Sequence, residues 1–210
     1  MNKRNFESKK RNSGYKRRKS VIGIVPEGKN VTETLYFASF KSASSDLIIK
    51  IFKTGGNTDV QSMVNTAKHE WDNNRLNSSL GDKIFVVLDL DCSEEKASKL
   101  RNIVPKVPNW LNFTISNPCF EIWYLLHFEY STKPYQDNKG ILKDLKKYIP
   151  VYEKNKDVTG LLFPSLDKAL ANAERLAENY KYEREIWPST LHNPRTDVHI
   201  LMNLITHNNH

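Results

Sequence analysis

Ile84-Phe85-Val86-Val87-Leu88-Asp89-Leu90-Asp91 is the stretch whose reading decides the fold. Five apolar residues running straight into acids read as a strand buried on both faces, the pattern of a parallel sheet covered by helices. A run of the same form, Val21-Ile22-Gly23-Ile24-Val25-Pro26-Glu27-Gly28, lies upstream. Each places carboxylates where the backbone leaves the sheet. In open α/β sheets ligands bind in the crevice beyond the carboxyl ends of the strands. Glu27, Asp89 and Asp91 are therefore expected to converge on a hard divalent cation, Mg²⁺ or Mn²⁺, which prefers carboxylate oxygens. Metal-dependent phosphoester chemistry is the leading expectation.

Outward from these two strands, the first 130 residues alternate strand and helix. Thr32 or Asn30 can cap a helix from Thr34 to Ser42, with Glu33 in its first turn. Leu47–Phe52 reads as a strand ended by Gly55-Gly56. Asp59 opens a helix whose Val60, Met63, Val64, Ala67 and Trp71 recur at three and four residues, a core-facing stripe. A helix from about Glu94 to Ile103 follows the deciding strand, and Trp110–Ile115 is a fourth strand. Ser116-Asn117-Pro118 predicts a turn, with Pro118 in the first turn of a helix through Phe120, Ile122, Trp123, Leu125, Leu126 and Phe128. That helix is apolar nearly all round, so it is expected to be buried against the sheet. Beyond Tyr130 come a polar loop (131–140), a short basic helix (141–149), a polar connector (152–160), an amphipathic helix (165–182) and a last helix from about Thr196-Asp197. The fold class expected is α/β: a mostly parallel four-stranded sheet flanked by helices over residues 20–130, with a helical C-terminal extension over 131–210.

A chain of 210 residues with 39% hydrophobic and 27% charged residues fits a globular protein with one sizeable core. No apolar stretch approaches the roughly 18 residues of a membrane span. The basic N-terminus lacks the apolar segment of a secretory signal. Cys92 and Cys119 form no paired motif, so free thiols and a cytoplasmic location are expected. The formal net charge of +8 resides entirely in residues 1–19, where nine basic residues face Glu7 alone. This segment lacks apolar periodicity and reads as an arm disordered on its own. Lys9, Lys10, Arg11, Lys16, Arg17, Arg18 and Lys19 are candidate phosphate contacts, with Phe6 and Tyr15 available to stack on bases. Lys29, beside Glu27, is a further phosphate candidate. The plainer reading of the arm is a solubilising tail.

In extended backbone Asp89 and Asp91 would project from one face roughly 7 Å apart, with Leu90 turned into the core. The plainer alternative is that these acids cap neighbouring helices. Gly28 allows tight backbone next to Glu27. Glu121, in the first turn of the apolar helix, reaches the same rim and is a candidate further ligand, or else a cap at Asn117. His127 falls on nearly the opposite helix face and reads as a satisfied core histidine. His192, His199, His207 and His210 lack ligand spacing. Arg195 and Thr196 read equally as site residues or as caps of the last helix.

Glu27-Gly28 and Asp89-Leu90-Asp91 resemble the pattern of Toprim domains, the catalytic module of topoisomerases, bacterial primases and several nucleases. Val25-Pro26-Glu27-Gly28-Lys29-Asn30-Val31-Thr32-Glu33-Thr34-Leu35-Tyr36-Phe37 resembles more closely the opening motif of the RloB (abortive-infection) family. Ser116-Asn117-Pro118-Cys119-Phe120-Glu121-Ile122-Trp123-Tyr124-Leu125-Leu126-His127-Phe128, the basic leader and Asn193-Pro194-Arg195-Thr196 are similar too. One departure is that Cys92-Ser93-Glu94-Glu95 follows the second Asp, where the fuller Toprim pattern has a glycine. The resemblance implies a Toprim-like catalytic domain, a role in phage defence and an AAA-type ATPase partner. The expected activity is Mg²⁺- or Mn²⁺-dependent hydrolysis of nucleic acid, whether DNA, RNA or tRNA. Glu27, Asp89, Asp91 and Glu121 would be the catalytic and metal-binding residues, with Glu27 a ligand or general base. The alternatives are a non-catalytic nucleic-acid-binding subunit of an ATPase-containing complex, and a phosphatase or phosphotransferase on small nucleotides. No membrane partner is expected, and homo-oligomerisation stays open.

Overall fold

Strands Ser20–Pro26 (β1), Leu47–Ile51 (β2), Lys83–Asp89 (β3) and Leu111–Asn117 (β4) run parallel, and Arg195–Thr196 (β5) pairs antiparallel with β4. Their order is β2-β1-β3-β4-β5. The computed structural model describes residues 18–28, 31–41, 46–56, 58–154, 156–182 and 184–207. Lys9, Lys10, Arg11, Lys16, Arg17 and Lys29 lie outside the described residues, as does most of the basic arm.

The helices are Val31–Ala38 (α1), Val60–Asn73 (α2), Glu94–Ile103 (α3), Glu121–Leu126 (α4), Asn138–Leu145 (α5), Thr159–Leu162 (α6), Leu166–Asn179 (α7) and Val198–His207 (α8). They sort by sheet face because strand side chains alternate. Ile22, Ile24, Phe85 and Val87 pack with Tyr36, Phe37, Trp123 and Leu201, so α1, α4, α7 and α8 cover one face. Val21, Val25, Val86 and Leu88 pack with Met63, Val64, Ala67 and Leu100, so α2 and α3 cover the other. The continuous apolar runs of β1 and β3 follow from this double cover. Burial of each large side chain contributes about 1.5–3 kcal/mol. Gly23 is required by the packing on the α2 side, since a Cβ there would meet Phe52 and Ile84 carbons at 2.7 and 2.8 Å.

Helix starts follow their caps. Asp59 Oδ2 accepts from Ser62 N at 3.0 Å to open α2, and Ser93 Oγ accepts from Lys96 N at 3.3 Å to open α3. Trp71 packs at the margin of the second core, half-buried and stacked on Trp110 at 3.9 Å.

Asp82 fastens the N-terminal edge of the sheet. Its carboxylate accepts Arg18 Nη1 and Nη2 at 3.0 and 2.9 Å, Val21 N at 2.7 Å and Asn77 N at 2.8 Å. Burial alone would raise the pKa of this carboxyl, but Arg18 and the two backbone N–H groups hold it below the usual range.

Three local expectations are corrected. The sheet has five strands rather than four, because a two-residue strand leaves no periodic signal. Pro118, whose peptide bond with Asn117 is cis, precedes the helix instead of opening it; α4 begins at Glu121. The 152–160 connector contains the start of α6. Residues beyond 130 are integral to the packing: β5 joins the sheet, and α7 and α8 supply core side chains. Asn193 ties down the 131–137 loop by accepting from Tyr135 N at 3.1 Å and donating to Tyr135 O at 2.6 Å, a pairing otherwise made by backbone.

Candidate functional site

The parallel register brings the predicted acids to one edge. Pro26 pairs with Val87 and Asp89 with Ser116, so the ends of β1, β3 and β4 are level. Glu27 N donates to Val87 O at 2.9 Å, and Asp89 N donates to Glu27 Oε2 at 3.0 Å. One acid thus holds the backbone of the next. Gly28 takes φ 59°, the left-handed conformation that glycine adopts without strain.

Asp89 is buried to 6% exposure, facing α1 and α4. Its Oδ1 takes no hydrogen bond from the described residues. Burial pushes its carboxyl well above the ordinary range, and Glu33, Glu121, Asp91 and Glu27 raise it further. Glu121, 1% exposed in the first turn of α4, accepts Tyr152 Oη at 3.1 Å and pairs with Lys154 Nζ at 3.2 Å. Its Oε2 likewise takes no hydrogen bond from the described residues. Burial lowers the Lys154 pKa, but Glu121 outweighs this and the net shift is upward. Cys119, fully buried beside them, has its thiol pushed well up by burial, then by Glu121 and Asp89. That makes it a neutral packing group.

Glu27 and Asp91 turn toward α3. Lys96 Nζ lies 2.7 Å from Glu27 Oε1 and 3.1 Å from Asp91 Oδ2. Burial lowers the ammonium's pKa, yet the two carboxylates raise it above its ordinary value. Asp91 also accepts Asn138 Nδ2 at 3.0 Å. The expected same-face Asp-x-Asp geometry does not occur. The strand ends at Asp89, and Asp91 has φ 52° in a turn where its N–H donates to Pro118 O at 2.9 Å. Leu90 is fully buried in the second core, as expected.

Five carboxylates therefore influence one another along one edge of the sheet, with Glu27 and Asp91 held by Lys96 and Glu121 held by Lys154. Glu33, 1% exposed in α1, was legible only as a first-turn acid, the commonest placement of a helix cap. Lys96, Lys154 and Tyr152 carry no local signal, because only tertiary packing brings them here. The donor set fits a hard divalent cation: all oxygens, short of positive charge, with two buried carboxylate oxygens unpartnered among the described residues. The side chains are not gathered on one point, however. Among the described residues no three His, Cys, Asp or Glu side chains are close enough together to hold a metal ion. Asp89 and Glu121 approach from one face of the sheet edge, while Lys96 holds Glu27 and Asp91 on the other.

The remaining candidates lie elsewhere. Arg18 is bound to Asp82 at the opposite edge of the sheet, and Lys19 is exposed next to it. His127 is 1% exposed, bonded through Nδ1 to Trp123 O at 2.9 Å, and burial lowers its pKa to about 4, so it is a neutral core residue. Arg195 stands 4.4 Å over the Trp187 ring, and Thr196 Oγ1 shares a hydrogen bond with Ser116 Oγ at 2.9 Å. Both fasten β5. No described helix is long and apolar enough to cross a membrane. Comparison with curated proteins and with solved structures gives no match. A model of the family described as RloB-like protein matches residues 22–205, nearly the whole described fold, and the chain belongs to the RloB-like family.

Proposed function

We propose that this protein is a Toprim-like, Mg²⁺- or Mn²⁺-dependent nuclease that acts in phage defence with an AAA-type ATPase partner. The observation that carries this reading is Asp89: a buried carboxylate with an unpartnered oxygen, crowded by four other acids at the C-terminal edge of a parallel sheet. Such a concentration of negative charge is unfavourable unless a cation relieves it.

In this reading Asp89 and Glu121 would hold the cation through their unpartnered oxygens, and Glu27 and Asp91 would join them on leaving Lys96. Glu27 holds the Asp89 backbone and in this reading is either a ligand or the general base for the attacking water. Tyr152 and Lys154 fix Glu121. A bound Mg²⁺ or Mn²⁺ supplies charge stabilisation to the phosphoryl oxygens and acidifies water. The basic residues of the arm would hold the phosphate backbone. A nuclease with sequence-independent grip endangers its host, which favours control by a partner, and the isolated protein is expected to be weakly active.

Incubating the purified protein with DNA, total RNA and tRNA, each with Mn²⁺ or with EDTA, tests the proposal. Cation-dependent cleavage that disappears in Asp89→Ala and in Asp91→Ala, with far-ultraviolet circular dichroism unchanged, is the expected result. Full activity in either variant would remove that residue from the metal set. The competing reading, a non-catalytic nucleic-acid-binding subunit, draws on the lysine held by Glu27 and Asp91 and predicts binding without cleavage under every condition. Expression of the chain alone addresses the partner: strong growth arrest, abolished by Asp89→Ala, would show that none is required.

A further inference from the structure

Glu27 and Asp91 share a single counter-ion. Lys96 Nζ stands 2.7 Å from one and 3.1 Å from the other, on a side chain only 16% exposed. Its backbone is fixed in the first turn of α3 by the Ser93 cap, while Ala97 and Leu100 anchor the helix in the core. One ammonium between two carboxylates reproduces the pattern a small hard cation makes with its oxygens, but it offsets only one of their two charges. Next to it opens a cleft of about 450 Å³ whose walls include the acids Glu27, Asp59, Asp91 and Glu95 and the lysines Lys96 and Lys99.

We infer that Lys96 is an exchangeable internal cation: a divalent ion entering the acid cluster takes Glu27 and Asp91 from it, and the released ammonium turns into the adjoining cleft to receive the substrate's phosphate. The inference rests on the metal-dependent reading above and extends it by giving Lys96 a role and the two ligands an order. Between Glu27 and Asp91 a divalent charge outcompetes a monovalent one. The four-carbon stem of lysine lets its head relocate while the helix stays in place. Until that exchange, the acids repel a phosphate and Lys96 is engaged. After it, Lys96 is the positive charge set free in the cleft, while Lys99 stays paired with Glu95. Cation binding therefore precedes phosphate binding.

Acylation of lysines by an amine reagent, read by mass spectrometry, tests this on the wild-type protein. Labelling of Lys96 is expected to be low in EDTA, to rise with Mn²⁺ and to fall again when inorganic phosphate is added. Lys99, exposed and paired with Glu95 at 2.9 Å, serves as the internal reference for the cation step. Electron paramagnetic resonance of Mn²⁺ supplies an independent measure. Lys96→Met should bind Mn²⁺ more tightly by about tenfold, the scale of one removed charge contact at a half-buried site, while Lys96→Arg should not. Lys96 labelling indifferent to Mn²⁺, or Lys96→Met affinity equal to or below wild type, overturns the inference and leaves the metal reading standing. Labelling that rises with Mn²⁺ but ignores phosphate overturns its phosphate half. Wild-type protein that binds no Mn²⁺ removes the metal reading and this inference together. Should Lys96→Met fail to fold, the wild-type labelling decides alone.

Discussion

Asp89 and His127 load the fold in opposite directions on the pH scale. The Asp89 carboxyl has its folded-state pKa raised above the ordinary 3.8, first by burial and then by its acidic neighbours. The protonated form therefore favours folding below about 3.8, and that contribution is lost as pH rises through the shifted value. Asp89→Asn, which keeps the shape and removes the charge, is expected to raise the Tm of the cation-free protein at pH 7. The difference from wild type should close as pH falls toward 4, and Mn²⁺ should raise the Tm of wild type but not of the variant. Thermal melts in EDTA and in Mn²⁺ check this; a lower Tm for Asp89→Asn in EDTA at pH 7 would mean the carboxylate has a stabilising partner. His127 behaves conversely. Its pKa falls from 6.5 to about 4 on burial, so its contribution is present above 6.5 and disappears as pH drops toward 4. Glu27, Asp89 and Asp91 stood out in the sequence because each follows an apolar run, and Glu121 because it stands in the first turn of an apolar helix. Glu33 and Lys96 were not, since an acid or a lysine in the first turn of a surface-like helix looks the same whether it faces solvent or a site.

Elements with a strong apolar period were readable to within a few residues, as α2 and α3 illustrate, and parallel pairing followed from the unbroken apolar runs of β1 and β3. What escaped was structure held by single side chains. β5 exists because Thr196 meets Ser116 and Arg195 lies against Trp187. The 131–137 loop stays in place through Asn193. The Asp-x-Asp spacing misled for a related reason: a motif argument assumes the strand continues, and the bond from Asp91 N to Pro118 O bends the chain first. Asp82 is the strongest of these single-residue fasteners. Asp82→Ala would leave Val21 N and Asn77 N without their acceptor and is expected to cost about 2–4 kcal/mol in urea unfolding. Arg18→Ala, which removes only a partner that is 42% exposed, should cost under about 1 kcal/mol. Equal losses in the two variants would mean that the ion pair, rather than the backbone bonds, fastens this edge.

The whole molecule is polarised along its strands. Arg18 and Asp82 mark the edge where the strands begin, and the five acids mark the edge where they end, about 20 Å away across a strand of seven residues. The sequence marked the acidic pole through its apolar runs, but not the Arg18–Asp82 pole or the separation of the two, which is a property of the sheet. Grip and chemistry should accordingly answer to different conditions. Deleting residues 1–17 removes seven basic residues. It is expected to flatten the log–log salt dependence of nucleic-acid binding by several units, at about 0.9 per lost phosphate contact, while Mn²⁺ affinity stays unchanged. An unaltered slope would assign the segment to solubility. The clasp of Arg18 on Asp82 has a further consequence, one that concerns inheritance rather than energy. Asp82 also holds Val21 N and Asn77 N, so a change at Asp82 undoes three attachments and a change at Arg18 only one. Selection is therefore expected to hold Asp82 fast across descendants of this fold while letting the residue at position 18 drift.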